Sequence, residues 1–247
     1  MALNWPFPRI VAHRGGGLLA PENTLAALRC GLAHGFHAVE FDVMLAHDGV
    51  PVLMHDEQLG RTVAGSAAVP TLTSAELMVM DAGSWFGPAF VGEPVPTYRQ
   101  AFEFCRQHDI WMNVEIKPAA GFEQITGSVV AALTQEWLGR DQRPPLFSSF
   151  SFDALMAAKD VAPAIPRGLL VNKIPPDWEA RLQALTAVAL HTDHKTLTVK
   201  QAQAIKSAGY GLFCFTVNDA VRAHDLFRWG VDGFCTDRID MIGVLFN

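Results

Sequence analysis

The 247-residue chain has no block of lysine or arginine: 19 basic residues are scattered among 25 acidic ones, for a formal net charge of −6. A nucleic-acid backbone or an anionic membrane surface is therefore not an expected partner. Long apolar runs are missing too. None reaches the ~18–20 residues needed to span a bilayer, and Met1 to Pro8 lacks the basic-then-apolar build of a secretory signal. Cysteine is scarce: Cys30, Cys105, Cys214 and Cys235 have neither the paired spacing of a zinc site nor the density of a disulfide scaffold. They read as reduced core thiols, with a cytoplasmic location as the default. Three catalytic signatures are also absent. Gly15-Gly16-Gly17 follows a strand, but Leu18, Ala20 and Pro21 do not continue a dinucleotide-binding turn. There is no Gly-x-Ser-x-Gly elbow for a serine nucleophile, and no His-x-x-x-His or cysteine pair for zinc.

Half the residues are hydrophobic and 18% are charged, which suits a large buried core. Strand and helix signals alternate from end to end. Strands are expected at 10–15, 38–43, 111–117, 145–150, 167–171, 187–192, 211–217 and 233–236. Helices are expected at 23–34, 97–107, 122–138, 152–159, 177–185, 198–208 and 219–229, with caps at Asn23 and Thr24, Ser151 and Asp153, and Gly209. Eight strands with seven intervening helices fit an α/β fold, a (β/α)8 TIM barrel, as one domain over residues 1–247. One interval breaks the rhythm. Residues 48–96 carry an extra strand at 51–56 and a short helix around 73–79, an insertion after the second barrel strand that should wall the pocket.

Charge arrives near the ends of apolar strands, where ionisable groups are seldom found unless paired or bound to metal. In Glu40-Phe41-Asp42 the two carboxylates share one face of a strand, while Phe41 faces the helices. They repel unless a cation or proton lies between them, and Glu115 on the next barrel strand can approach the same point. Three oxygen ligands suit a hard divalent cation, Mg²⁺ or Ca²⁺. An ion-pair network with Arg14 and Lys117 is the alternative. His13 and His55 sit at strand ends and can act as general base and general acid. Asp56 can orient one ring or cap a turn, and reads as structural. Arg14 and Lys117 offer a planar fork and a compact charge for phosphate oxygens.

In this order the motifs resemble those of the glycerophosphodiester phosphodiesterase family, over nearly the whole chain. The resemblance rests on His13-Arg14-Gly15 followed by Pro21-Glu22-Asn23-Thr24, then Glu40-x-Asp42, His55-Asp56 and Glu115-x-Lys117. Ser149-Phe150, Thr216-Val217-Asn218, Gly230-Val231-Asp232-Gly233 and Thr236-Asp237 follow in turn. Within the family the chain is most similar to bacterial cytosolic enzymes associated with glycerol-3-phosphate uptake, through Asn4-Trp5-Pro6, Asp81 to Trp85, His191 to Lys195 and Thr236 to Asp240. It departs at Phe215, where tryptophan or tyrosine is common, at Ile239 in place of proline, and at Arg99-Gln100.

The resemblance implies hydrolysis of small-molecule glycerophosphodiesters to sn-glycerol 3-phosphate and an alcohol. It assigns one divalent cation, Mg²⁺ ahead of Ca²⁺, to Glu40, Asp42 and Glu115, catalysis to His13 and His55, and phosphate oxygens to Arg14 and Lys117. A related barrel phospholipase acting on lysophospholipid or sphingolipid, with Trp85, Phe86 and Phe90 as an apolar rim, is a second reading. A non-catalytic phosphate-binding barrel is a third. The expected assembly is a monomer or homodimer.

Overall fold

A computed structural model of the chain describes residues 5–139 and 143–246. Asn4 of the Asn4-Trp5-Pro6 motif lies outside them. Among these residues nine strands form: β1 (Ile10–Ala12), β2 (Ala38–Leu45), β3 (Pro51–Leu53), β4 (Trp111–Ile116), β5 (Leu146–Ser149), β6 (Arg167–Val171), β7 (Ala189–Asp193), β8 (Gly211–Phe215) and β9 (Gly233–Thr236). Eight of them pair in parallel in the order β1-β2-β4-β5-β6-β7-β8-β9. The ring closes through Ala12 opposite Val39 and Ile10 opposite Phe234. This is the expected (β/α)8 barrel. Its strands read as near-continuous apolar runs because helices cover one face and the interior fills the other. β3 lies outside the ring, antiparallel to β2 with Val43 opposite Leu53.

The helices are α1 (Leu25–Ala33), α2 (Ser74–Leu77), α3 (Tyr98–Gln107), α4 (Glu123–Trp137), α5 (Phe152–Val161), α6 (Trp178–Leu185), α7 (Val199–Ser207) and α8 (Ala220–Arg228). Their starts follow ordinary capping chemistry. Thr73, Thr97 and Thr198 form reciprocal capping boxes with Glu76, Gln100 and Gln201, and Ser151 caps α5. Gln100 of the Arg99-Gln100 pair thus serves the start of α3, with Arg99 exposed beside it. The insertion carries β3 and α2 and has its own buried cluster, Val52, Met54, Leu59, Val63, Val69, Leu77 and Val95, resting on Met44 of β2.

At the N-terminal end of the strands the barrel is plugged with aromatic rings. Phe7 stacks on Trp111 with centroids 5.1 Å apart, and Trp5 meets both Phe7 (4.9 Å) and Phe213 (6.1 Å). Val11, Ala38, Leu146 and Cys235 complete this layer. The polar residues collect at the opposite, C-terminal end.

Candidate active site

β2 brings Glu40 and Asp42 into the barrel interior and sends Phe41 outward, fully buried and 6.1 Å from the Tyr98 ring. Asp42 stands in register with Glu115 on β4. One oxygen from each of Glu40, Asp42 and Glu115 lies within 4.8 Å of the others. Glu40 Oε2 accepts from the Arg14 backbone N–H at 3.1 Å. Glu40 Oε1 and Glu115 Oε1 are buried with no hydrogen-bond partner among the described residues.

Both histidines sit just past a strand rather than on one, because β1 stops at Ala12 and β3 at Leu53. After His13 the chain turns through left-handed conformations at Arg14 and Gly15. His13 Nδ1 is 2.6 Å from Asp237 Oδ1 and its Nε2 is 3.8 Å from Glu40 Oε2. Asn218 donates to the other oxygen of Asp237 at 2.8 Å. His55 repeats the pattern, with Nδ1 2.6 Å from Asp56 Oδ1. Asp56 therefore orients a ring, the other role open to it besides the structural one expected. With Nδ1 engaged by a carboxylate, each ring leaves Nε2 for chemistry.

The cations do more than the sequence indicated. Arg14 Nη1 donates to Glu22 at 2.7 Å while its Nε lies 3.6 Å from Asp42. Lys117 Nζ is 3.4 Å from Asp42 and 3.7 Å from Glu115. Arg61, from the insertion, bridges Asp56 (2.6 Å) and both oxygens of Glu22 (2.7 Å each), which ties His55 and Arg14 into one frame. Asn23, expected as a helix cap, instead exchanges two hydrogen bonds with Asp42 (2.8 and 3.0 Å), and Thr24 alone caps α1. Asn23, Glu22, Arg61, Asn218 and Asp237 were not singled out as site residues. Their only signal was their place in or beside the resembling motifs, since partners so distant along the chain meet only after folding.

Burial, then repulsion from Asp42 and Glu115, pushes the Glu40 carboxyl well above its usual range. Burial and Asp42 push Glu115 up to about 8. Burial also works against Asp42, but Lys117, Arg14, His55 and Asn23 outweigh it and hold Asp42 ionised. Burial lowers His55. The donor set fits a hard divalent cation: three converging carboxylates, two raised by burial and crowding, and two oxygens without a hydrogen-bond partner among the described residues. His13, Arg14, Glu40, His55, Glu115 and Lys117 line a cavity of ≈190 Å³, with Phe150 and Phe215 also on its wall. Phe215 packs edge-on against Phe150 at 5.5 Å. Trp85, Phe86 and Phe90 pack edge-to-face on one another at 5.6 and 5.4 Å. No helix among the described residues is long and apolar enough to cross a membrane.

The chain is 32% identical over 230 residues to a glycerophosphodiester phosphodiesterase of Caldanaerobacter subterraneus subsp. tengcongensis, covering 92% of this chain and 93% of that one. It is similar in structure to an Oleispira antarctica phosphodiesterase solved with the product sn-glycerol-3-phosphate. That pair has a TM-score of 0.91 and 38% identity, with 97% of each chain covered. A glycerophosphodiester phosphodiesterase from Agrobacterium tumefaciens gives a TM-score of 0.76 at 26% identity, covering 95% of this chain and 98% of that one. The profile of one family matches residues 13–241, and with that match the chain belongs to the glycerophosphoryl diester phosphodiesterase family and is a phosphodiesterase.

Proposed function

We propose that this protein hydrolyses glycerophosphodiesters to sn-glycerol 3-phosphate and an alcohol, using Glu40, Asp42 and Glu115 to hold one divalent cation and His13 and His55 as the proton-transfer pair. The observation that carries the reading is the juxtaposition at one cavity of unpartnered carboxylate oxygens and two histidines, each oriented by its own carboxylate. We read the chain as one barrel domain with an insertion over about 48–96, working in the cytoplasm, where its free cysteines would stay reduced.

When bound, the cation, with Mg²⁺ favoured over Ca²⁺, supplies positive charge against the charge that develops on the phosphate. The residues do the rest. Arg14 and Lys117 bind phosphate oxygens, and Glu22 and Asp42 hold the Arg14 guanidinium for that task. His55, its pKa lowered by burial, takes the proton of the glycerol hydroxyl beside the ester as that oxygen attacks phosphorus. His13, oriented by Asp237, gives a proton to the departing alcohol oxygen. Water then opens the cyclic phosphate with the two roles reversed. A diester without the adjacent hydroxyl separates this route from direct attack by water, because normal turnover of it excludes the cyclic phosphate.

The test of the function is glycerol 3-phosphate release from glycerophosphocholine with Mg²⁺, with Ca²⁺ and with EDTA. Cation-dependent release is expected, and no release under any of the three conditions overturns the reading.

A further inference from the structure

Beside and beneath the carboxylates the barrel interior holds polar side chains that this mechanism does not use. Asn113 lies one inward step before Glu115 on β4, and Ser148 of β5 is the register partner of Glu115. His191 stands on β7, four strands round the ring from β2 and so on the far side of the barrel. All three are buried, at 3%, 1% and 1% exposure. Asn113 Oδ1, Ser148 Oγ and both ring nitrogens of His191 have no hydrogen-bond partner among the described residues. Native proteins rarely leave so many polar atoms unmatched in one place.

These side chains line the same cavity as Glu40 and Glu115. Burial keeps His191 neutral, pulling its pKa down to about 3, so the ring offers one donor and one acceptor. The fold makes room for it. A Cβ on Gly168 would meet His191 Nε2 at 2.4 Å.

We propose that Asn113, Ser148 and His191 form a subsite for the terminal hydroxyl of the substrate's glycerol arm. The inference rests on the phosphodiesterase reading above and follows from the shape of the barrel. A diester has two arms on its phosphorus. The arm pointing inward meets a floor closed by Trp5, Phe7, Trp111 and Phe213, so it must be short. The arm pointing outward passes Phe150 and Phe215 into solvent and is free in length. Glycerol is the short arm, and its far end is a hydroxyl, which donates and accepts and so matches unpaired atoms of both kinds.

The test compares glycerophosphocholine with the corresponding propane-1,2-diol phosphocholine ester, which keeps the adjacent hydroxyl and lacks the terminal one. The wild-type protein with Mg²⁺ should prefer glycerol by about 10²-fold or more in kcat/KM, the discrimination expected where buried polar groups would be left unpaired. In Ser148→Ala and in His191→Leu that ratio should fall below about tenfold, through loss on the glycerol substrate. The melting temperature of Ser148→Ala should not drop, because the hydroxyl removed has no partner to lose. Equal use of both esters by the wild type, or an unchanged ratio in both variants, overturns the subsite. If neither ester is turned over, the hydrolysis reading falls, and calorimetric titration with sn-glycerol 3-phosphate and with the matching diol phosphate still decides the floor. Tighter binding of glycerol 3-phosphate supports it, and equal binding overturns it.

Discussion

Each of the two histidines is held by a carboxylate on Nδ1 at 2.6 Å, and the carboxylates, Asp56 and Asp237, come from opposite halves of the chain. Replacing His13 or His55 by alanine should cut turnover by about 10²–10⁴-fold, the usual loss for a general acid or base. Steady-state rates at saturating cation would show it, and near-normal turnover of His55→Ala would sink the paired assignment. His191 makes a different prediction. Unfolded, an imidazole titrates near ~6.5, whereas His191 in the folded protein is held at about 3 by burial. Between those values the unfolded chain binds more protons. The contribution from keeping His191 neutral is therefore intact above the unfolded value and is lost as pH falls toward the folded one. About 2 kcal/mol of the wild-type stability lost between about pH 7 and pH 5 should be missing from the His191→Leu pH profile in urea melts.

At the level of the elements, helices α4 and α5 pack with almost no gap. A Cβ on Gly127 of α4 would fall 2.1 Å from the Ala154 carbonyl oxygen of α5. Backbone cannot swing aside as a side chain can, so Gly127→Ala should cost about 1–3 kcal/mol, read as a lower urea midpoint at unchanged m. Elements of this kind were largely legible in the sequence, because a barrel strand buried on both faces leaves an apolar run and a covering helix leaves a stripe. Their ends were less so. The strand expected to reach Gly15 stops at Ala12 because Arg14 and Gly15 take left-handed backbone angles, and nothing in an apolar run announces that turn. The metal-ligand candidates could be read from Glu40-x-Asp42, where strand period alone puts two carboxylates on one face. Asn23, Arg61 and Asp237 could not, because their roles depend on partners 19, 39 and 224 residues away.

For the molecule as a whole, the crowded carboxylate cluster is a burden that a bound cation would relieve. Glu40 and Glu115 are both raised by burial and crowding, so the folded protein without cation carries a repulsion that the unfolded chain escapes. A divalent cation present at ~100 times its Kd should raise the melting temperature by roughly 5–10 °C. Glu40→Gln should abolish most of that rise, and in EDTA the variant should melt above the wild type, because one source of repulsion has gone. A scan with and without cation measures both, and a full rise in Glu40→Gln would remove Glu40 from the ligand set.

The aromatic plug of Trp5, Phe7, Trp111 and Phe213 makes the barrel a blind alley, with one doorway at the C-terminal ends of the strands. Whatever enters first and deepest must leave last. If glycerol is the inner arm, as proposed above, the alcohol, nearer the doorway, departs first, and glycerol 3-phosphate follows once the way is clear. Product inhibition records this order: glycerol 3-phosphate should compete with substrate, while the free alcohol should inhibit without competing. The reverse pattern would mean that the diester sits the other way up.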